Sequence, residues 1–328
     1  MQFSFTPDQH EFANGLREML TSEFSPAALR TVWDLGAGID HVLWSRLADM
    51  GVLSMMIPLG SGGLGGNFVD TVLLLEELGR AAVPGPIVET ITVGALALGE
   101  TSWAAGIVDG SAGVSAALMG EPYVPHATLA AAILVPGSPA GSVRVLDAAS
   151  IAIMPANGID GGRLLGAITT MDAGAPVSLS LAAAVNAGAL GTAAYLLGLS
   201  SRMLDIAGDY ARDRRQFGQP IGAFQAVKHL MADALLKVEF ARPAVYRAAW
   251  SISVGSPTVD RDVSMAKALA SEAAQKATRS ALQVHGAIGY TWECDLQLFM
   301  KKAWALMPAW GSSQFHRRRV ADAVLGAR

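Results

Sequence analysis

Apolar positions recur every three and four residues from Asp8 to Thr21 and again from Asp40 to Met50, the spacing that places one apolar stripe along a helix. Helical patterning extends in this way from Pro7 to about Ala105, with one break. The break is Ile57-Pro58-Leu59-Gly60-Ser61-Gly62-Gly63-Leu64-Gly65-Gly66, too rich in glycine for a helix interior. It predicts a loop whose backbone takes positive φ or approaches something closely. No Lys-Ser or Lys-Thr pair follows these glycines and no helix-opening G-x-G-x-x-G register is present, which excludes a nucleotide phosphate loop. Val69 to Ala82, with Glu76, Glu77 and Arg80, then predicts a helix ended near Pro84 and Pro86.

From about Ser111 to Ala175 the pattern changes. Ala130 to Val135, Ser142 to Leu146 and Ile151 to Met154 are short apolar or alternating runs, separated by Pro136, Gly137, Pro139, Gly141, Pro155 and Gly158. That is the pattern of short strands joined by turns. Helical spacing returns over Leu179 to Arg212, Gln225 to Ser253 and Asp260 to His285, with a final helix from about Ser312. The predicted architecture is mainly α with a small β domain: an N-terminal helical domain over 1–108, a reduced β domain over 109–175, and a bundle of about four helices over 176–328.

Composition narrows the picture. Of 328 residues 52% are hydrophobic and 16% charged, with Gly and Ala abundant, so many segments are expected to be buried on more than one side by helix contacts. A net charge of −4 and the lack of a long basic run exclude a nucleic-acid groove. The Arg317-Arg318-Arg319 cluster is expected on the solvated face of the last helix. A single cysteine, Cys294, excludes an internal disulfide and a cysteine-based zinc site and fits a reducing cytoplasm. The opening residues have no basic region followed by an apolar run, so export is not expected. Between Asp172 and Arg202 no charged residue occurs. Pro176, Asn186 and the excess of Ala over Leu make this a buried helix packed through small residues, rather than one crossing a membrane.

Three segments carry a resemblance that spans nearly the whole chain. The first is Ile57-Pro58 through Gly62-Gly63-Leu64-Gly65 to Leu75-Glu76-Glu77-Leu78-Gly79-Arg80. The second, and most specific, is Arg214-Arg215-Gln216-Phe217-Gly218-Gln219-Pro220-Ile221-Gly222-Ala223-Phe224-Gln225, followed by Leu230-Met231-Ala232-Asp233. The third is Gln283-Val284-His285-Gly286-Ala287-Ile288-Gly289-Tyr290-Thr291, with Ala287 where a second glycine is usual. In these segments the chain resembles the acyl-CoA dehydrogenase family. The resemblance implies FAD extended across a subunit contact, with the second and third segments reaching over to the neighbour's cofactor. The residue types suit that task. Arg214, Gln216, Gln225 and Gln283 are candidate cofactor-binding donors, Phe217 offers an aromatic face, and Gly286 lets backbone N–H groups come close.

The resemblance also shows what is missing. The family abstracts an α-proton with a glutamate while a hydride leaves the β-carbon for the flavin. Its usual glutamate lies in a Tyr-Glu-Gly-Thr-Ser segment, and the matching stretch here is Ala309-Trp310-Gly311-Ser312-Ser313-Gln314. An indole accepts no proton at neutral pH. Trp310 is expected to plug the vacated space. In some members the glutamate lies earlier, at the position matched here by Gly188, with Ala189 where an arginine commonly follows. No Asp or Glu occurs between Asp172 and Asp205 to replace it. Segments that hold the flavin ring are absent as well, Met119-Gly120-Glu121-Pro122 being at most a remnant of one.

This asymmetric pattern, an eroded site of its own beside kept contacts for a neighbour, implies a non-catalytic subunit of a heteromeric enzyme with no catalytic residue of its own. The partner is then a second acyl-CoA dehydrogenase-like subunit that carries the base and most of the acyl-CoA site. Paired subunits of this kind, α2β2 with fewer flavins than chains, resemble actinobacterial enzymes acting on CoA thioesters of steroid side chains. Two alternatives stand beside it: a self-sufficient homo-oligomer whose base is among Glu121, Glu272, Glu293 and Asp295, and a flavin-free scaffold. Against the scaffold stands the intact Arg214 segment.

Overall fold

A computed structural model describes residues 4–170 and 173–326; Met1 to Phe3 of the opening segment, and Asp172 at the start of the uncharged stretch, lie outside them. The chain is mostly helical with a small sheet region between two helical parts, as the patterning predicts. The first part holds α1 (Pro7–Glu23), α2 (Pro26–Asp34), α3 (His41–Asp49) and α4 (Phe68–Arg80). Thr6 and Gln9 close a capping box on α1, and Asn67 and Asp70 close one on α4. The two boxes are tied together, since Gln9 Nε2 donates to Asp70 Oδ1 at 2.7 Å. The glycine-rich loop folds back on itself, and a Cβ at Gly63 would stand 2.3 Å from the Ile57 carbonyl oxygen.

After α4 a π-helical turn, Glu89–Gly94, runs into α5 (Ala95–Leu98), and α6 (Ala104–Val108) follows. Two small sheets come next. One has the order β1 (Val114–Ala116), β3 (Ala132–Pro136), β4 (Ser142–Asp147), β7 (Ala175–Ser180), with only the β1–β3 pair parallel. The other is antiparallel, with the order β2 (Val124–Pro125), β6 (Leu165–Thr170), β5 (Ala152–Ala156). Strands β1, β2, β6 and β7 escape the sequence pattern because they are very short or interrupted by Gly and Pro.

The last part contains α7 (Leu181–Asp213), α8 (Gln225–Ser253), α9 (Val259–His285), α10 (Leu296–Leu306) and α11 (Ser313–Leu325). It has five helices where four were expected; α10 is apolar on most sides and gives no clean stripe. Helix α7 is long and apolar enough to cross a bilayer, but 83% of its apolar window is buried against other helices. Its polar Asn186 is satisfied there, donating to Asp260 Oδ1 at 2.6 Å and accepting from Arg319 at 3.1 Å. Arg319 is therefore not on the free face of α11, as expected, but clamps α7.

Helices α4 and α7 cross backbone to backbone. A Cβ at Gly198 would stand 1.9 Å from the Glu76 carbonyl oxygen, and one at Gly79 would stand 2.1 Å from that of Tyr195. Around this crossing Glu77 takes the Arg17 guanidinium of α1 at 2.5 Å. Glu76 takes Arg242 and, at 2.9 Å, the Tyr246 hydroxyl of α8. The main core joins both helical parts, and a second small cluster around Val124, Ile133 and Leu146 fills the space between the sheets.

Candidate functional site

Helix α7 ends at Arg214, which turns the chain into a two-strand hairpin, β8 (Arg215–Gln216) and β9 (Gln219–Pro220). The Ile221 N–H donates to the Arg214 carbonyl at 2.8 Å and closes it. A two-residue hairpin turn of type I′ has positive φ at both central positions. They are Phe217 at +52° and Gly218 at +82°. Phenylalanine is an unfavourable residue for that conformation, and here it is 91% exposed, with its ring against the edge of Phe224 at 6.1 Å between centroids.

Helix α9 ends beside this hairpin. Its last turn carries Gln283, and Gly286 follows at φ +65° with open space where a Cβ would stand. The two ends are joined by a stack: Tyr210, one turn before Arg214, lies on His285 with ring centroids 4.4 Å apart and planes 17° from parallel. Burial holds the His285 imidazole below its ordinary pKa, and its Nδ1–H donates to the Ala281 carbonyl at 2.8 Å. Arg214, Gln216, Phe217, Gln225, Gln283 and Gly286 are all exposed, and the stack brings the Arg214 and Gln283 segments to one end of the bundle. The donors and the open Gly286 backbone suit a pyrophosphate, and an exposed aromatic in a strained turn suits contact with a group outside this chain.

Trp310 lies elsewhere, in the loop between α10 and α11. Its φ is +57° and that of Gly311 is +100°. The loop is pinned from beneath: Lys267 Nζ donates to the carbonyls of Met307 at 2.8 Å and Gly311 at 3.1 Å and to Ser271 Oγ at 3.1 Å. His316 Nε2–H donates to the Trp310 carbonyl at 2.8 Å, and its Nδ1 accepts from the Ser264 hydroxyl at 3.2 Å. Burial pushes the Lys267 ammonium down to about 7 and the His316 imidazole down to about 4.

Trp310 fills the space over Gly188, and in this chain by itself open space remains on its other side. A pocket of about 210 Å³ opens there, lined among others by Ala116, Arg163, Ala305 and, at its rim, Glu121. It also contains a carboxylate that the sequence reading missed: Glu89, at the start of the π-helical turn. Burial raises the Glu89 pKa above the ordinary carboxylate value, opposed by the nearby Arg163 charge and by its interaction with the Trp310 indole. Behind Glu89 and Arg163 lies a chamber of about 20 Å³ with His126, Tyr195 and Lys302. Burial holds His126 well below its ordinary pKa, and its Nδ1 has no hydrogen-bond partner. In the sequence Glu89 is a single carboxylate within an apolar run, which carries no signal for this position.

The other carboxylates named from sequence are not brought together. Glu272 takes the Arg317 side chain at 2.8 Å, Asp295 takes Arg30 at 2.6 Å, and Glu293 is exposed with its pKa lowered by local hydrogen bonds. Glu121 accepts the Met119 N–H at 2.9 Å.

Residues 6–102 match the model of the acyl-CoA dehydrogenase N-terminal domain, and residues 178–325 match that of the C-terminal domain. The chain is 33% identical over 308 residues to acyl-CoA dehydrogenase IpdE2 of Mycolicibacterium smegmatis, covering 92% of this chain and 93% of that protein. With IpdE2 of Mycobacterium tuberculosis the identity is 32% over 298 residues, covering 88% and 89%. Among solved structures, a chain of the Tcur3481-Tcur3483 steroid ACAD G363A variant superposes with TM-score 0.86 at 25% identity, covering 97% of this chain and 98% of that one. A chain of the ChsE4-ChsE5 complex from Mycobacterium tuberculosis shares the fold with TM-score 0.89 at 24% identity, covering 100% of both.

Proposed function

The chain belongs to the acyl-CoA dehydrogenase family, and from that premise we propose that it is the non-catalytic subunit of a heteromeric, FAD-dependent acyl-CoA dehydrogenase. FAD, on which the family depends in general, accepts the hydride from the acyl β-carbon when bound. On this reading Arg214 and Gln216 hold the pyrophosphate of the cofactor seated in the partner subunit. Phe217 covers an apolar part of it, and Gln225, Gln283 and the open backbone at Gly286 complete the donor set. The partner, a second acyl-CoA dehydrogenase-like chain, supplies the base and most of the acyl-CoA site; a steroid side chain is the substrate class suggested by the steroid ACAD neighbour. A cytoplasmic heterotetramer that is inactive when separated follows from the same reading, as does the division into domains at 108 and 175.

The observation that carries this is Phe217, which holds a positive φ while it stands 91% exposed. The test is the FAD content of the co-purified assembly. Arg214→Ala should lower it, and unchanged flavin in that variant sinks the reading. One observation favours the second reading, a self-sufficient homo-oligomer: Glu89 puts a carboxyl in the Trp310 pocket. Dehydrogenation of an acyl-CoA by the chain purified alone would establish it.

A further inference from the structure

Arg214 to Gln219 are all exposed, and so are Gln283 and Gly286 to Ile288, so neither segment sets its distance from the other by burying its own side chains. That spacing is decided at their bases. On one side stands Tyr210, half-buried on the last turn of α7, whose carbonyl accepts the Arg214 N–H at 2.9 Å where the helix gives way to the hairpin. The hairpin then returns onto the same turn. A Cβ at Gly222 would stand 3.0 Å from the Ala211 carbonyl oxygen. On the other side stands His285, the last residue of α9 and buried, with Gln283 two positions before it and Gly286 next in the chain. Its ring is fixed in turn, because Nδ1 lies 2.8 Å from the Ala281 carbonyl one turn back. A carbonyl only accepts, so the proton of the neutral imidazole is on Nδ1.

The two bases meet as flat faces, with ring centroids 4.4 Å apart and planes 17° from parallel. A stack of this kind imposes both a separation and a tilt, which an aliphatic contact of similar area does not. We propose that the Tyr210–His285 stack is the joint that fixes the Arg214 segment against the Gln283 segment, which makes the two rings positioning residues for a pyrophosphate held by both. The inference rests on the cofactor reading given above and adds to it two side chains that reach the ligand only through their neighbours. Donors carried on the ends of two different helices bind one group tightly only when their separation is set before it arrives. With the joint loosened, binding itself has to order them, and affinity falls.

The experiment is a double-mutant cycle read on the dissociation constant of FAD from the co-purified assembly. Tyr210→Leu and His285→Leu should each weaken FAD about fivefold, and the double variant should also lose about fivefold, because the second substitution finds the stack already gone. Tyr210→Phe and His285→Phe, which keep a flat ring at each position, should stay within about twofold of the parent. Single effects that multiply to about 25-fold in the double variant, or phenylalanine variants as weak as the leucine ones, would each overturn the joint. A second readout is free of the cofactor: exchange of the Ile221 N–H, which closes the hairpin on the Arg214 carbonyl, should quicken at least about threefold in both leucine variants. Unchanged exchange there overturns the proposal as well. Should His285→Leu not fold, His285→Gln, which keeps a donor but no ring, takes its place in the cycle with the same outcomes. Arg214→Ala reports on the cofactor reading by itself. If it loses flavin while the cycle is additive, only the joint fails; if it keeps its flavin, the reading fails and Ile221 exchange alone decides the joint.

Discussion

Trp310 packs its indole onto Gly188: a Cβ built at Gly188 would stand 2.3 Å from two of the ring carbons. These are the two positions at which the family resemblance looks for a catalytic glutamate, one on the loop before α11 and one on α7. They are neighbours in space, so the bulky residue at one depends on the absent side chain at the other. Gly188→Ala is expected to cost about 1–3 kcal/mol, because the ring is held by its loop and cannot retreat freely. Combined with Trp310→Ala, its effect should shrink by at least about 1 kcal/mol. Urea unfolding of the four proteins of this double-mutant cycle checks it, and additive effects would deny the contact.

Phe217 separates folding from function. Its positive φ is relieved by glycine, while glycine also makes the unfolded chain more flexible, so Phe217→Gly should leave stability within about 1 kcal/mol of the parent. The FAD retained by the co-purified assembly should nevertheless fall. A variant that keeps its flavin and its stability would show that the exposed ring has no outside partner.

Much of the architecture is legible in the sequence because long helices repeat their apolar positions: α8 begins and ends where the spacing of Gln225 to Ser253 places it. The sheets are only half legible, since strands of two or three residues such as β2 carry too few positions to show an alternation. The Arg214 and Gln283 segments stand out as motifs, but nothing in their spacing reveals that Tyr210 stacks on His285 and joins them. Glu89 was invisible for a different reason. It is a single carboxylate in an apolar run, and only the distant arrival of Trp310 and Arg163 gives it chemical meaning.

The α4–α7 crossing makes a sharp comparison within one helix. Gly198→Ala would drive a methyl into the Glu76 carbonyl, where both partners are backbone, and should cost about 3 kcal/mol. Gly208, on the same helix, meets nothing closer than the Arg212 guanidinium at 3.8 Å. Gly208→Ala should therefore stabilise by about 0.5–1 kcal/mol through helix propensity alone. Thermal unfolding of the pair checks both signs, and a shift of equal sign in the two variants would mean that the crossing yields to a methyl group.

His316 should make the Trp310 loop sensitive to acid. Its imidazole is held down to about 4 by burial, with Lys267 and Arg319 opposing the cation and the Trp310 carbonyl favouring it, whereas the unfolded residue titrates near 6.5. Between these values the unfolded chain takes up a proton that the folded chain refuses. The stability is thus fully present above about 6.5 and is lost as pH falls towards 4, by an amount on the order of 3 kcal/mol from 1.36 kcal/mol for each pH unit. Lys267 acts in a different window: its folded value of about 7 lies below the ordinary 10.5, so its linkage raises stability between those two pH values and leaves the acid range alone. His316→Gln keeps a donor for the Trp310 carbonyl and an acceptor for Ser264 while removing the titration. Its urea midpoint should accordingly fall less steeply than the parent's between pH 6.5 and 4, and parallel slopes would mean that His316 is charged in the folded protein.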